Sequence, residues 1–440
     1  MNLPIDVKNI IKVIEDHGQV AYAVGGCVRD SILGKEPHDW DITTSAKPEE
    51  VKSYFKKTFD TGIEHGTVTV LINGVGYEVT TYRVDGKYED GRHPKQVTFT
   101  ASLEEDLKRR DFTINAMAYN ERDGLVDLFG GIQDLNNGII RAVGNPRERF
   151  SEDALRMLRA LRFAAQLGFE IEKETIEAIK ELAPTLSKIS AERIQVELVK
   201  LVTSAHPDEI REVYTTGLTK IFMPEFDTMM ECDQINKHHM YSVGEHTIKA
   251  MEEVECDKVL RLSMLLHDVA KPMCKTTDEK GQNHFKTHDI KGAELAKTIL
   301  KRLKFDNDTT DAVVNLVRWH DDRPEATKRN VRRLMMRVGA ENYENLLSVK
   351  RADCLAQSMY KRDEKLAYIE ELRRLYEEIV AEGDCISIKD LMINGKDLIE
   401  MGVKQGQGIG DILKQLLDEV VDEPSRNNRD YLVKRAKELM

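Results

Sequence analysis

No stretch of these 440 residues is apolar for long enough to cross a bilayer, and residues 1–9 carry neither a basic start nor an apolar centre. A spanning helix needs roughly 20 apolar residues, and a secretory leader needs both of those features. Membrane residence and export are therefore not expected. Cysteine is sparse: the six residues Cys27, Cys232, Cys256, Cys274, Cys354 and Cys385 are scattered, with no C-x-x-C pair. That excludes a disulfide scaffold or a zinc ribbon and fits reduced thiols in the cytoplasm. Internal repeats and low-complexity linkers are missing too. Net positive charge is also lacking: at −12, the chain is a poor general adhesive for polyanions. What remains is 41% hydrophobic and 32% charged, an ordinary globular composition. The length suggests about three domains at roughly 150 residues each.

Residues 1–140 mix the two kinds of periodicity. Strands are predicted at 19–24, 39–43, 67–72, 77–82 and 96–99, where β-branched or aromatic residues lie between turn formers such as Gly62, Gly66, Gly74 and Gly76. After about Gly138 the spacing turns helical, with Leu155, Leu158, Leu161 and Ala165 on one face and Ile194, Leu198 and Leu201 on another. Helices dominate onward from 240. The fold class is thus α+β: a head with a small mixed sheet, then an all-helical remainder, with boundaries near 140, 230 and 375. Two basic patches stand out against the acidic balance. Six arginines oppose three acids over 141–162, and seven basic residues oppose three acids over 318–337. They read as phosphate contacts or as solvated helix faces.

The densest chemistry is near the start. Gly25-Gly26-Cys27-Val28-Arg29-Asp30 is followed by Asp39-Trp40-Asp41. On a strand, positions i and i+2 share a face, so a strand at 39–43 would set Asp39 and Asp41 side by side. Paired carboxylates repel unless a cation lies between them, and magnesium prefers such oxygens together with substrate phosphates. The alternative is that both cap a turn. The glycine turn ahead of them tips the balance, because Gly26 lets backbone amides approach a phosphate while Arg29 adds positive potential. Glu78 is a candidate third carboxylate or an ordinary exposed glutamate. Arg110 joins Arg29 as a fixed cation for a triphosphate.

Gly25-Gly26-x-Val28-Arg29-Asp30-x-x-Leu33-Gly34 with Asp39-x-Asp41 resembles the signature of the class II nucleotidyltransferases. That family contains the bacterial tRNA CCA-adding enzymes and poly(A) polymerases. Glu64-His65-Gly66-Thr67, the run Arg109 through Met117, and Glu152-Asp153-Ala154-Leu155-Arg156 continuing to Phe163 follow in the family's order. The resemblance implies magnesium-dependent nucleotidyl transfer with Asp39 and Asp41 as metal ligands, and it supports an acidic residue at Glu78. It also implies the division into a head (1–140), a helical neck that recognises the base (141–230), a body (231–375) and a tRNA-binding tail (376–440).

Asp153 and Arg156 are predicted as i, i+3 neighbours on a helix, with Arg159 and Arg162 continuing the stripe. The plain reading is an exposed ion pair of little consequence. The functional reading is a base reader. Cytosine and adenine both present an amine beside an unprotonated ring nitrogen, which a carboxylate and a guanidinium complement. Guanine and uracil reverse that order and leave both groups facing like partners, which discriminates strongly. CTP and ATP would then be chosen without a nucleic-acid template. In the family this segment is similarly an amino-acid template. The polar, glycine-bearing loop at 83–97 is read as mobile. Relatives adding only cytidines lack such a loop, so its presence suggests that the terminal A is added.

Downstream, His246, His267-Asp268, His288, His320 and Asp353 recur in helical sequence. Scattered helical histidines are most often core residues. However, Leu265-Leu266-His267-Asp268-Val269-Ala270-Lys271-Pro272 resembles the centre of the HD superfamily of metal-dependent phosphohydrolases. His246, His267, Asp268 and Asp353 are the expected ligands of a divalent transition metal. Gly406-Gln407-Gly408-Ile409-Gly410 lacks a preceding strand and does not read as a dinucleotide fingerprint; a turn between short helices is expected there. The function expected is addition of CCA to the 3′ end of tRNA from CTP and ATP. The alternatives are an A-adding enzyme, a poly(A) polymerase, or an HD phosphohydrolase as the main activity.

Overall fold

A computed structural model describes residues 1–85, 97–404 and 406–440, which form two compact units, Met1–Pro224 and Glu225–Met440. Most of the loop expected at 83–97 lies outside the described residues. In the first unit, nine strands precede a helical half: β1 (Ala21–Val24), β2 (Ile42–Thr44), β3 (Thr58–Gly62), β4 (Thr67–Ile72), β5 (Val75–Thr81), β6 (Arg83–Asp85), β7 (Val97–Phe99), β8 (Met117–Asn120) and β9 (Gly124–Asp127). Seven make one mixed sheet in the order β3-β4-β5-β2-β1-β8-β9, while β6 and β7 pair separately. Within this sheet, among the described residues, only β2 and β5 run parallel, with Ile42 opposite Val79. All four residues of β1 are buried, as befits a central strand. Tyr22 and Val24 pack there with Tyr82, Leu107 and Ala118.

The sheet corrects one expectation. Asp39 and Asp41 precede β2 instead of lying within it. On one side the partner strand ends: the Val24 amide still donates to the Asp41 carbonyl at 3.0 Å, but at Gly25 the chain leaves β1 for the helix Gly26–Ile32. On the other side, pairing with β5 begins only at Ile42 and Val79. β8 and β9 went unread, although Asp123-Gly124 between them is a hairpin-turn signal.

The helical half of this unit follows its sequence pattern. Leu155–Leu167 ends at Gly168, in the left-handed conformation with φ 69°. It packs on Ala191–Val202, and Leu158, Leu161, Ala165, Ile194, Leu198 and Leu201 are all buried. Fully burying such a leucine contributes roughly 1.5–3 kcal/mol. Among its described residues, the second unit is helical apart from one two-stranded pairing of two residues each. Near its end, Gly406 caps the 16-residue helix Gln407–Asp422. The glycine run is therefore the start of a long helix and not a turn between short ones. Leu416, Val420 and Val421 of that helix pack with Leu398, Leu432 and Ala436, and this apolar face is what extends it.

Gly25 has φ 81° and ψ −130°, and a Cβ there would sit 3.0 Å from Arg110 Nη1. Gly25→Ala is expected to cost about 1–3 kcal/mol, read as a shift in chemical denaturation of the full chain. An unchanged midpoint would show that the turn relaxes without strain.

Candidate functional site

In the head, Asp41 directly precedes β2 and Glu78 lies within β5, each one residue before the first parallel pair, Ile42 with Val79. Loss of water raises the Asp41 carboxyl above its ordinary range; Arg110 pulls it down and Asp39 pushes it up. Glu78 is raised likewise, by lost water first and then by Asp41 and Asp39. Asp41 and Glu78, both raised beside Asp39, fit a divalent cation, which would favour their charged forms.

The cations opposite them are fixed from behind. Arg29 Nη1 donates to Asn115 Oδ1 at 2.8 Å and Nε to Asp30 Oδ1 at 2.8 Å, with the guanidinium 5.1 Å from the Phe163 ring centre. Arg110 Nη2 lies 3.5 Å from Asp106 Oδ2. Burial would raise the Asp106 carboxyl, but Arg109 and Arg110 hold it below the usual range. Thr43 Oγ1 donates to the same Asp106 oxygen at 3.0 Å, which ties β2 to the helix Leu103–Lys108 that the two arginines directly follow. Gly26 opens the helix Gly26–Ile32 beside Arg29, and a Cβ there would lie 3.8 Å from Arg29 Nη2.

The expected base-reading stripe takes a different form. Asp153 lies outside the helix carrying Arg156, at the break between Pro146–Glu152 and Leu155–Leu167. Its Oδ1 accepts from the Leu155 amide at 3.0 Å and its Oδ2 pairs with Arg193 at 2.7 Å. Arg156 binds Glu152 at 2.6 Å and the Arg109 and Arg149 carbonyls at 2.9 and 3.1 Å. The two side chains are therefore held by separate partners, not by each other. The break is what permits this: Asp153 acts as a cap because a carboxylate accepts from the exposed amides of a helix start. Arg159 grips Asp111 Oδ2 at 2.7 and 2.9 Å. Arg162 is buried, at 2.9 Å from Glu197 Oε2. Asn115, Asp111, Glu197 and Arg193 were missed as supports. Asn115 and Asp111 lie inside the conspicuous 109–117 run; no local pattern marks the other two.

Both basic patches prove to be stitched to acids. In the first, Arg141 pairs with Asp134 and Glu172, Arg147 with Glu181, and Arg149 with Glu152. In the second, Arg318 pairs with Asp289, Arg323 with Asp321, Lys328 with Glu382, Arg332 with Asp384, and Arg329 and Arg333 with Asp422.

The second unit brings the histidines of the sequence together. His246 Nε2 lies 3.2 Å from His267 Nε2, 3.0 Å from Asp353 Oδ1 and 3.5 Å from Asp268 Oδ2. All four residues are buried. The Nδ1 atoms face carbonyl oxygens, His267 toward Met264 at 2.7 Å and His246 toward Ala356 at 3.3 Å. A carbonyl only accepts, so each Nδ1 carries a proton and each Nε2 faces the carboxylates; burial lowers the His267 imidazole, but Asp268 and Asp353 raise it. Two Nε2 atoms at 3.2 Å, once free of protons, fit an ion: nitrogens each about 2.1 Å from one metal at near-tetrahedral angles stand about that far apart. Burial opposes charge on Asp268 and Asp353, but His267 and Lys271 beside the one and His246 beside the other hold them well below the usual carboxylate range. Gln357 Nε2 donates to both Asp353 oxygens at 2.9 and 3.0 Å and is itself held by Lys365 at 2.6 Å, neither of which the sequence advertised. His288 and His320 approach the other Asp268 oxygen, Oδ1, at 3.4 and 3.7 Å. The cluster opens into a cleft of about 520 Å³ whose lining includes Lys237, Lys271, Lys286 and Arg323.

Residues 21–141 match the family model described as "Poly A polymerase head domain", 168–230 match "Probable RNA and SrmB- binding site of polymerase A", and 285–436 match a model of tRNA nucleotidyltransferase domain 2. The CCA-adding enzyme of Ligilactobacillus salivarius is 39% identical over 454 residues, covering 100% of this chain and 98% of that protein. That of Levilactobacillus brevis is 39% identical over 428 residues, covering 96% and 95%. The crystal structure of the Bacillus stearothermophilus CCA-adding enzyme in complex with CTP aligns with TM-score 0.72 at 30% identity, covering 100% of this chain and 99% of that one.

Proposed function

We infer the chemistry from one premise: the chain belongs to the CCA-adding enzymes. It is a nucleotidyltransferase that adds C, C and A to the 3′ end of tRNA without a nucleic-acid template, taking CTP and ATP and releasing pyrophosphate. Relatives named for the whole CCA sequence, matched over nearly their full lengths, favour this over an A-adding enzyme or a poly(A) polymerase. We place the reaction in the cytoplasm, where its six unpaired cysteines stay reduced.

Transfer in this family depends on a divalent metal, which in our assignment is magnesium held by Asp39 and Asp41 with Glu78 beside them. When bound, it neutralises triphosphate charge and promotes attack by the 3′-hydroxyl on the α-phosphorus. The 3′-oxygen bonds to that phosphorus as the α–β phosphoanhydride bond breaks. Arg29, Arg110 and the amide of Gly26 orient the triphosphate. Their fixed positions supply charge stabilisation without reorganisation. Asp153 and Arg156 read the base edge, the carboxylate accepting from the amine and the guanidinium donating to the ring nitrogen. The three Arg156 bonds described above leave part of its five-donor capacity for this. Arg159 and Arg162 hold the reader in place through Asp111 and Glu197. The observation that carries this reading is the elevation of both Asp41 and Glu78, each by burial first and then by neighbouring carboxylates, Asp39 for the one and Asp41 and Asp39 for the other.

We assign the head to 1–140, the base-reading neck to 141–230, an HD-type body to 231–375 and a tRNA-binding tail to 376–440. The buried imidazole–carboxylate set supports a second activity in the body. There His246, His267, Asp268 and Asp353 hold a transition metal, and the basic cleft takes a phosphoester for hydrolysis.

Asp39→Ala or Asp41→Ala is expected to lower addition by at least 10³-fold, on the order of 4 kcal/mol of barrier, while tRNA binding by filter retention changes little. Near-normal addition by both variants would remove the metal assignment. Arg156→Ala should reduce incorporation of both C and A and raise incorporation of U relative to them; unchanged selectivity among the four nucleotides would exclude this segment as the reader. The double change His267→Ala and Asp268→Ala should abolish hydrolysis of phosphoesters assayed with nickel, cobalt or manganese, with CCA addition continuing in magnesium. Hydrolysis that persists in the double variant would refute the second site.

A further inference from the structure

We propose that Phe163 is a positioning residue for nucleotidyl transfer: its ring backs the Arg29 guanidinium and so fixes the tilt with which Arg29 meets the triphosphate. The proposal rests on the assignment of Arg29 to the triphosphate and deepens it.

Three guanidinium groups gather around this one ring. Arg162 lies 3.6 Å from the ring centre, Arg29 5.1 Å and Arg159 5.4 Å, all inside the roughly 6 Å over which an aromatic face attracts a cation. Each also has a carboxylate: Asp30 for Arg29 at 2.8 Å, Asp111 for Arg159 at 2.7 Å and Glu197 for Arg162 at 2.9 Å. Those bonds run through N–H groups, which lie in the plane of a guanidinium. Its two faces carry no donor and are weakly hydrated. Hydrogen bonds at the rim therefore fix where the group is, and its tilt is left to whatever covers a face. At Arg29 the rim is held by Asn115 and Asp30, and Phe163 is the ring over which the group sits.

The ring is itself fixed. Phe163 is 5% exposed and stands on the helix Leu155–Leu167. Phe112 meets it with ring centres 5.7 Å apart and planes at 80°, the edge-to-face arrangement that aromatic pairs favour. A leucine would fill much of the same space but has no electron-rich face. Filling a core asks for no aromatic residue here, whereas three like charges crowded on one side chain do, because the negative face of a ring lessens their repulsion. Arg156, the proposed base reader, is held separately by Glu152 and by the Arg109 and Arg149 carbonyls. Weakening the ring should therefore act on the phosphates and not on base choice.

The test replaces Phe163 in the full chain, by nonsense suppression, with phenylalanine carrying one, two or three ring fluorines. Fluorine drains electron density from the ring face while the side chain keeps nearly its shape, and circular dichroism checks the fold. The expected result is a stepwise fall in kcat/KM for both CTP and ATP, reaching about 10-fold with three fluorines. Inhibition by pyrophosphate should weaken in parallel, with incorporation of U relative to C unchanged. Phe163→Leu should fall at least as far. The series is repeated on Arg29→Gln, followed in single turnovers with excess enzyme, where fluorination should have no further effect. A flat series in the parent chain would overturn the proposal and leave Arg29 on the triphosphate. The same stepwise fall persisting with Arg29→Gln would overturn it too, as would altered base choice with pyrophosphate inhibition intact. If Arg29→Gln by itself left kcat/KM and pyrophosphate inhibition unchanged, the assignment of Arg29 to the triphosphate would fail, and the proposal with it.

Discussion

One buried carboxylate, Asp111, ties the turn that carries Arg29 to the helix Leu155–Leu167 in the first unit. Its Oδ1 accepts from Asn115 at 3.2 Å and from the Phe112 amide at 2.9 Å, while Oδ2 takes the fork of Arg159. Asn115 passes the constraint to Arg29, and Arg159 passes it to the helix that follows Asp153. The turn proposed to meet phosphate and the helix next to the proposed base reader are thereby fixed to a common point. Burial alone would raise Asp111, but Arg159 and its hydrogen bonds hold it at about 2. A carboxyl depressed on folding stabilises above its unfolded value near 3.9, and that contribution, on the order of 2 kcal/mol, is lost as pH falls toward 2. Leaving such a charge buried without its guanidinium would cost more than the pair contributes.

Much of this was legible in the residues, for reasons that differ by element. The helix Leu155–Leu167 announces itself because its apolar spacing and its closing glycine agree. β1 and β4 do so through short β-branched or aromatic runs between turns. The carboxylates Asp39 and Asp41 could be named from their spacing, but their placement could not. Whether a strand reaches position 39 depends on both neighbours: β1 has turned away at Gly25, and pairing with β5 begins only at Ile42. The relation of Asp153 to Arg156 was hidden for a similar reason. Spacing cannot show a helix break at 153–154, and Arg193, the partner that claims Asp153, lies 40 positions further on. Long-range partners such as Glu197 and Gln357 have no local signal at all.

In the second unit a single local device explains how scattered histidines become a cluster. His267, His288 and His320 each direct Nδ1 to the carbonyl three residues earlier, at Met264, Phe285 and Val317. His267 and His320 do so at the ends of their helices, where carbonyls have lost their helical donors. The ring satisfies the helix end with one nitrogen and is aimed by it with the other. The His-Asp adjacency then places Asp268 beyond the last turn, between the two pairs.

The arginines of residues 141–162 are already matched to carboxylates of their own unit, which alters how the chain responds to salt. Attraction between a bare cation and a polyanion is driven largely by release of condensed counterions, and it collapses as ionic strength rises. A guanidinium whose counterion is a covalently attached Glu152, Glu197 or Asp111 has few mobile ions to shed. Its contribution comes instead from direction, as hydrogen bonds offered at fixed angles inside the screening length of about 8–10 Å. Association through this surface should therefore show a shallow dependence on ionic strength. A chain of net charge −12 thus gains purchase on a phosphate of the right shape without becoming sticky toward nucleic acid in general.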